Sequence, residues 1–124
     1  MSEEYNDEQR LHYFLSRLIE LEEVWGLANA DGWLLLENNE QWNLPLWPSE
    51  ILARRYRQGK WEDHDTHSIS LEHCLDQLLP LMSSKSIDAR LLPSPTHAGL
   101  ILSADSLMEI MQASIDAGEY YMEG

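Results

Sequence analysis

The sequence predicts an α+β fold: a mainly antiparallel sheet of about four to six strands with helices packed on it, begun and ended by N- and C-terminal helices. Three observations predict it. Each end of the chain carries an apolar repeat of helical period. Between them lie short aromatic and aliphatic runs separated by turn signals. Finally, no strand spacing demands a parallel crossover.

The first helix starts at Asn6-Asp7-Glu8-Gln9, with Asn6 as N-cap and Gln9 placed to complete a capping box. Asp7 and Glu8 complement the helix macrodipole. Leu11, Phe14, Leu15, Leu18, Ile19 and Leu21 form the apolar stripe, Arg10, Arg17, Glu20 and Glu23 the outer faces, and the helix runs to about residue 23. Two strand runs follow, Val24 to Ala28 and Trp33 to Glu37, turned at Asp31-Gly32 as a hairpin. Gly26 inside the first run suggests a bulge or the close approach of another group, such as the Trp33 ring.

After the polar stretch 38–41, Trp42-Asn43-Leu44-Pro45-Leu46-Trp47-Pro48 reads as an extended or edge segment leading into a helix, because two prolines forbid a helix interior. Pro48 suits a first helical turn, and Ser49 to Gln58 forms a short helix with Ile51, Leu52 and Tyr56 inward and Gly59 as its stop. Residues 60–70 are a loop entering a brief strand. Ser70 caps a helix burying Leu71, Cys74, Leu75, Leu78 and Leu79, limited or kinked by Pro80. Ile87 to Leu91 and the more fully buried Ala98 to Leu102 are strands around a turn at 93–96. Ser103 caps the last helix, whose buried positions are Leu107, Ile110, Met111, Ser114 and Ile115, with Gly118 at its end.

At 124 residues, 44% apolar and 24% charged, the chain suits one globular domain over 1–124 with frayed ends. The lone Cys74 and an N-terminus without a signal-peptide pattern point to the cytoplasm. The longest apolar run, Trp33-Leu34-Leu35-Leu36, is far short of the roughly 20 residues that span a bilayer. A net charge of −14 repels nucleic acid and anionic lipid and favours cationic partners. That charge is uneven. Arg54, Arg55, Arg57 and Lys60 form a basic island, whereas Glu62, Asp63, Asp65, Glu72 and Asp76 cluster without any Lys or Arg across 61–83.

The segments Val24-Trp25-Gly26-Leu27, Asp31-Gly32-Trp33, Leu44-Pro45-Leu46-Trp47-Pro48, Ile69-Ser70-Leu71 and Leu79-Pro80 resemble a family of small, acidic bacterial proteins, domain of unknown function 2750. The resemblance runs from about Val24 into the last helix. It implies a single domain of bacterial origin and leaves function open, because it offers no activity, substrate or catalytic residue to carry over.

Asp63, His64, Asp65 and His67 are metal-ligand types at moderate spacing, with His73 and Cys74 nearby, and set against them is a solvated acidic loop with ordinary histidines. No phosphate-binding glycine loop or nucleophile elbow accompanies them, so no cofactor and no catalytic residue is expected. Cys74 lies on an apolar stripe and reads as a core residue. The basic island with Tyr56 and Trp61 suits pairing with protein carboxylates, within the fold or across a homodimer, better than nucleic acid. Most of the five tryptophans belong in the core; any of Trp42, Trp47 and Trp61 left exposed is an interface anchor.

The leading expectation is therefore a non-enzymatic, cytoplasmic, inhibitor- or immunity-like module. Its acidic face engages a basic protein while Trp42, Trp47, Arg54, Arg55, Arg57 and Trp61 contribute contacts. The alternative is a small metal- or ligand-binding protein using His64 and His67 with Asp63 and Asp65.

Overall fold

A computed structural model of the protein describes residues 6–57 and 61–118. Helix α1 (Asp7–Leu21) begins as the capping chemistry requires: Asn6 Oδ1 accepts from the Gln9 N–H at 2.8 Å, and Gln9 Oε1 accepts from the Asn6 N–H at 3.0 Å. It ends two residues early, because Glu22 turns left-handed at φ 56. Arg10 departs from expectation. It is 1% exposed, since residues 10, 14 and 18 share one stripe at a spacing of four and Phe14 and Leu18 are core.

Strand β1 (Glu23–Asn29) pairs antiparallel with β2 (Gly32–Trp33) in the expected hairpin and, on its other side, with β5 (Asp65–Ser70). The suspected close approach at Gly26 is present: a Cβ there would lie 2.7 Å from Trp33 Cζ3. Trp33 thus lies across a gap that only glycine leaves, and meets His67 edge-on at 6.2 Å.

The run 33–37 is not one strand. Trp33 stays with β1, Leu34 is buried at the crossing, and β3 (Leu36–Asn38) joins a second sheet ordered β3-β4-β6-β7. A further hairpin, unforeseen in the polar stretch, links β3 to β4 (Gln41–Leu46). Asn39 and Glu40 both adopt positive φ, 52 and 66, the conformation of a tight primed turn. Main-chain bonds between Trp25 and Trp47, 2.7 and 2.8 Å, join the two sheets.

Pro45 is internal rather than on an edge. β4 lies between β3 and β6 (Asp88–Leu91), and β4 and β6 run parallel, the one parallel pair among the described strands of sheets that are otherwise antiparallel, as a mainly antiparallel expectation allows. The parallel pair exists because the chain leaves β4, builds β5 and the following helices, and returns in the same direction. Proline is tolerated because successive residues address opposite neighbours. Leu46 C=O accepts from Leu92, while Trp47 bonds Trp25; Pro45, two residues before Trp47, therefore turns its missing N–H away from β6, where β3 has already ended. β7 (Leu100–Leu102) completes this sheet as a half-buried edge, less buried than its apolar sequence suggests.

Helix α2 (Glu50–Arg57) begins two residues after Pro48, which forms a bend instead of the first turn. Its buried residue is Ala53, whereas Ile51 is 71% exposed. The expected stop at Gly59 lies outside the described residues. Ser70 caps α3 (Leu71–His73), which continues through a π-helical segment, Cys74–Leu78, into α4 (Leu79–Ser84). Pro80 explains the widening: it has no N–H for the Asp76 carbonyl, and upstream Leu79 N–H reaches back five residues to Cys74. Ser103 caps α5 (Ala104–Ala117), and Gly118 closes it at φ 64. Phe14, Leu18, Leu44, Leu46, Leu91, Leu107 and Met111 belong to one continuous core. Among the described residues no helix is long and apolar enough to cross a membrane.

Candidate docking surface

The sequence-predicted residues separate into those that the fold uses internally and those left at the surface. Trp47 is a correction. It is 1% exposed, donates its indole N–H to Pro93 O at 2.8 Å and packs on Tyr56 at 5.3 Å between ring centroids. It cannot anchor a partner, because the sheet-joining pair with Trp25 draws it inward. Trp42 is half exposed, and Trp61 is partly buried against His64 at 5.8 Å.

The basic island is largely engaged by the fold. Arg54 pairs with Glu50 at 2.6 Å, and Arg57 donates to the carbonyls of His64 (2.7 Å) and Glu62 (3.2 Å), with Asp65 at 3.9 Å. Arg57 thereby ties down the turn at 61–65. Arg55 is exposed and has no ion-pair partner among the described residues; Lys60 lies outside them. Glu50 also accepts from the Thr66 hydroxyl at 2.9 Å. That bond and then Arg54 hold its carboxyl below the usual range.

The expected metal ligands do not converge. His64 is buried, with Nδ1 2.8 Å from Asp63 Oδ1, and packs on Trp61, while His67 packs on Trp33. Residues three apart on an extended chain face opposite ways. Among the described residues no three His, Cys, Asp or Glu side chains are placed to hold a metal ion.

Cys74 is fully buried, and burial pushes its thiol from the ordinary 9.0 up to about 12. At a given pH its thiolate fraction is about a thousandfold lower than in the unfolded chain. A thiol reagent at pH 8 is therefore expected to label the native protein far more slowly than the denatured one. Equal rates would show that Cys74 is accessible. Because the folded value is raised, stability is retained below the unfolded value and lost as pH climbs from 9 toward 12. Burial also raises Tyr56, against a smaller opposing effect of Arg90, and it acts in the same direction.

Two surface grooves have coherent chemistry. An apolar one, about 190 Å³, lies between the sheet and α4, with Trp33, Leu35, Leu81 and Ile87 in its wall and Asp31 and Lys85 at its rim. The other, about 460 Å³, runs between the π-helical segment and α5 and is lined by Leu75, Asp76, Asp105, Met108, Glu109 and Gln112. Among the described residues its lining holds three carboxylates, two half-buried apolar side chains and no cation.

Local structure explains this second arrangement. Ser103 accepts from the Ser106 N–H at 3.1 Å and sets where α5 begins, so Asp105, Glu109 and Gln112 fall on one helical face. The π segment, required by Pro80, sets the direction of Leu75 and Asp76. Asp76 was visible in the sequence as one of the clustered acids. Asp105 and Glu109 were missed because they lie on a distant helix; their four-residue spacing was the available signal.

No curated protein matches the chain. A family model described as "Protein of unknown function (DUF2750)" matches residues 11–111 of the 124, reaching into α1, which the motif resemblance left aside. The protein with this two-sheet α+β fold and acidic groove therefore belongs to the DUF2750 family.

Proposed function

We propose that the protein is a non-enzymatic docking module of the cytoplasm whose groove between the π-helical segment and α5 receives a cationic, amphipathic segment of a partner protein, as an inhibitor or immunity-like protein does. One observation carries the reading: Asp76, Asp105 and Glu109 line one groove with Leu75 and Met108, with no cation among the described lining residues. Three like charges around an apolar floor favour a lysine or arginine side chain, whose methylene stem covers the floor while its head meets the carboxylates. The overall charge of −14 steers such a partner and disfavours anionic ones. The fully buried, unpaired Cys74 thiol suits, without requiring, a reducing compartment.

The test uses a lysine–leucine amphipathic peptide and its glutamate–leucine counterpart, followed by methyl NMR of the full chain. The lysine peptide is expected to shift Leu75 and Met108 saturably, with affinity falling about tenfold from low to physiological salt. Asp76→Lys with Glu109→Lys is expected to abolish this at unchanged melting temperature. Shifts spread over the whole acidic surface, or undiminished binding by the double variant, overturn the reading.

A further inference from the structure

The apolar groove between the sheet and α4 is built differently from the acidic one. Nine described residues line its volume of about 190 Å³, and seven of them are apolar. Its floor is closed, because Leu44, Leu78 and Met82 are buried members of the core. Trp33 forms one wall and is held in place where its ring fills the gap at Gly26 and meets His67 edge-on. Leu35 and Leu81 stand on the lip and are among the large apolar side chains that the fold leaves exposed. Leu35 is left out where its neighbour Leu34 is drawn into the core at the crossing between the sheets.

The two charged residues of the lining have opposite signs, and the backbone fixes where each stands. Asp31 sits in the hairpin turn, where its N–H donates to Asn29 Oδ1 at 2.9 Å. Lys85 closes α4, with its N–H shared between Leu81 O and Met82 O at 3.1 Å each, and Ser86 then turns left-handed at φ 57. Unlike Arg54 and Arg57, which the fold engages, neither side chain has an ion-pair partner among the described residues, and the two do not pair with each other. A volume of about 190 Å³ falls below the roughly 300–1,000 Å³ of sites for drug-sized ligands, so the groove suits a smaller molecule. The rim then selects among small apolar molecules. A fatty acid meets the Asp31 carboxylate as well as Lys85, an alkylamine meets Lys85 as well as Asp31, and an uncharged hydrocarbon uses neither charge. A molecule with an ammonium and a carboxylate at one end of an apolar body uses both charges and the floor together. A second copy of the chain is disfavoured, because each carries a net charge of −14 and the floor is recessed.

We infer that this groove binds a free α-amino acid with an aliphatic side chain, the side chain resting on Leu44, Leu78 and Met82, the ammonium toward Asp31 and the carboxylate toward Lys85. The site shares no lining residue with the acidic groove and stands or falls separately from it.

The experiment follows the Trp33 indole and the Leu35 and Leu81 methyl resonances of the full chain during titration with L-leucine, glycine, N-acetyl-leucine and leucinamide. Saturable shifts are expected with leucine. Binding is expected to weaken about fivefold with N-acetyl-leucine and with leucinamide, each of which lacks one charge, and to vanish with glycine, which lacks the side chain. Lys85→Gln is expected to equalise leucine and leucinamide. Asp31→Asn, which preserves the turn because asparagine before glycine forms the same hairpin, is expected to equalise leucine and N-acetyl-leucine. Both positions are exposed, so an unchanged melting temperature is expected to accompany each variant. No saturable shift with leucine, analogues lacking a charge that bind as tightly as leucine, or discrimination that persists in both variants overturns the proposal. So does a shift of the same resonances on raising the protein concentration alone, which would give the groove to a second copy of the chain.

Discussion

Trp47→Ala is expected to destabilise the fold by about 3–5 kcal/mol, measured as the loss of unfolding free energy in urea. The side chain is 1% exposed and sits where β4 leaves one sheet to meet β1 of the other. Truncation opens a large cavity beside Tyr56 and removes the donor that satisfies Pro93 O. Trp47→Phe separates these effects. It fills most of the space but leaves the Pro93 carbonyl without its partner, so a smaller loss of about 1–3 kcal/mol is expected. If Trp47→Ala cost under about 1 kcal/mol, the site would have to be able to collapse, and its place as the joint of the two sheets would be wrong.

Gly99→Ala is expected to be the most damaging glycine replacement, at about 2–4 kcal/mol from left-handed strain and overpacking together. Two causes act at once. Gly99 holds φ +85, and an added Cβ would lie 2.5 Å from Leu91 O and 2.9 Å from Pro93 N. Both obstacles are main chain, at the end of an internal strand, so neither can swing aside as a side chain does. Gly118→Ala is the control, because it shares a positive φ of +64 but has nothing within 4 Å among the described residues. It is expected to cost about 1 kcal/mol. Thermal unfolding of the two variants side by side tests the ordering; equal shifts would mean that the loop over Arg90 relaxes freely.

Glycine also shows how far local sequence carries. Gly26 was legible because a glycine amid strand-forming residues needs a reason, and the aromatic ring of Trp33 supplied it. Gly99 carried no comparable signal. Its constraint comes from Leu91 and Pro93 folding back over it, and that depends on β6 and β7 being paired.

The candidate sites divide along the same line. Acidity and the absence of catalytic motifs could be read directly, and they pointed toward docking. Which tryptophan is exposed was not settled by the sequence, since Trp42 and Trp47 lie five residues apart in one extended run yet are 50% and 1% exposed. Likewise Asp63, His64, Asp65 and His67 are dense in sequence, but strand geometry sends the two histidines to different aromatic neighbours. Asp76, Asp105 and Glu109, dispersed in sequence, are the acids that share a groove.

By itself the sequence determined the caps at Asn6, Ser70 and Ser103, the Asp31-Gly32 hairpin, the helix end at Gly118 and the α+β class. Each of these rests on interactions within a few residues, where side-chain chemistry and backbone sterics suffice. Tertiary structure alone decided the parallel pairing of β4 with β6, the division of residues 33–37 between two sheets, the burial of Arg10 and Arg90, and the exposure of Ile51. Those outcomes depend on which surfaces distant elements present to one another, a competition for burial that no local pattern records.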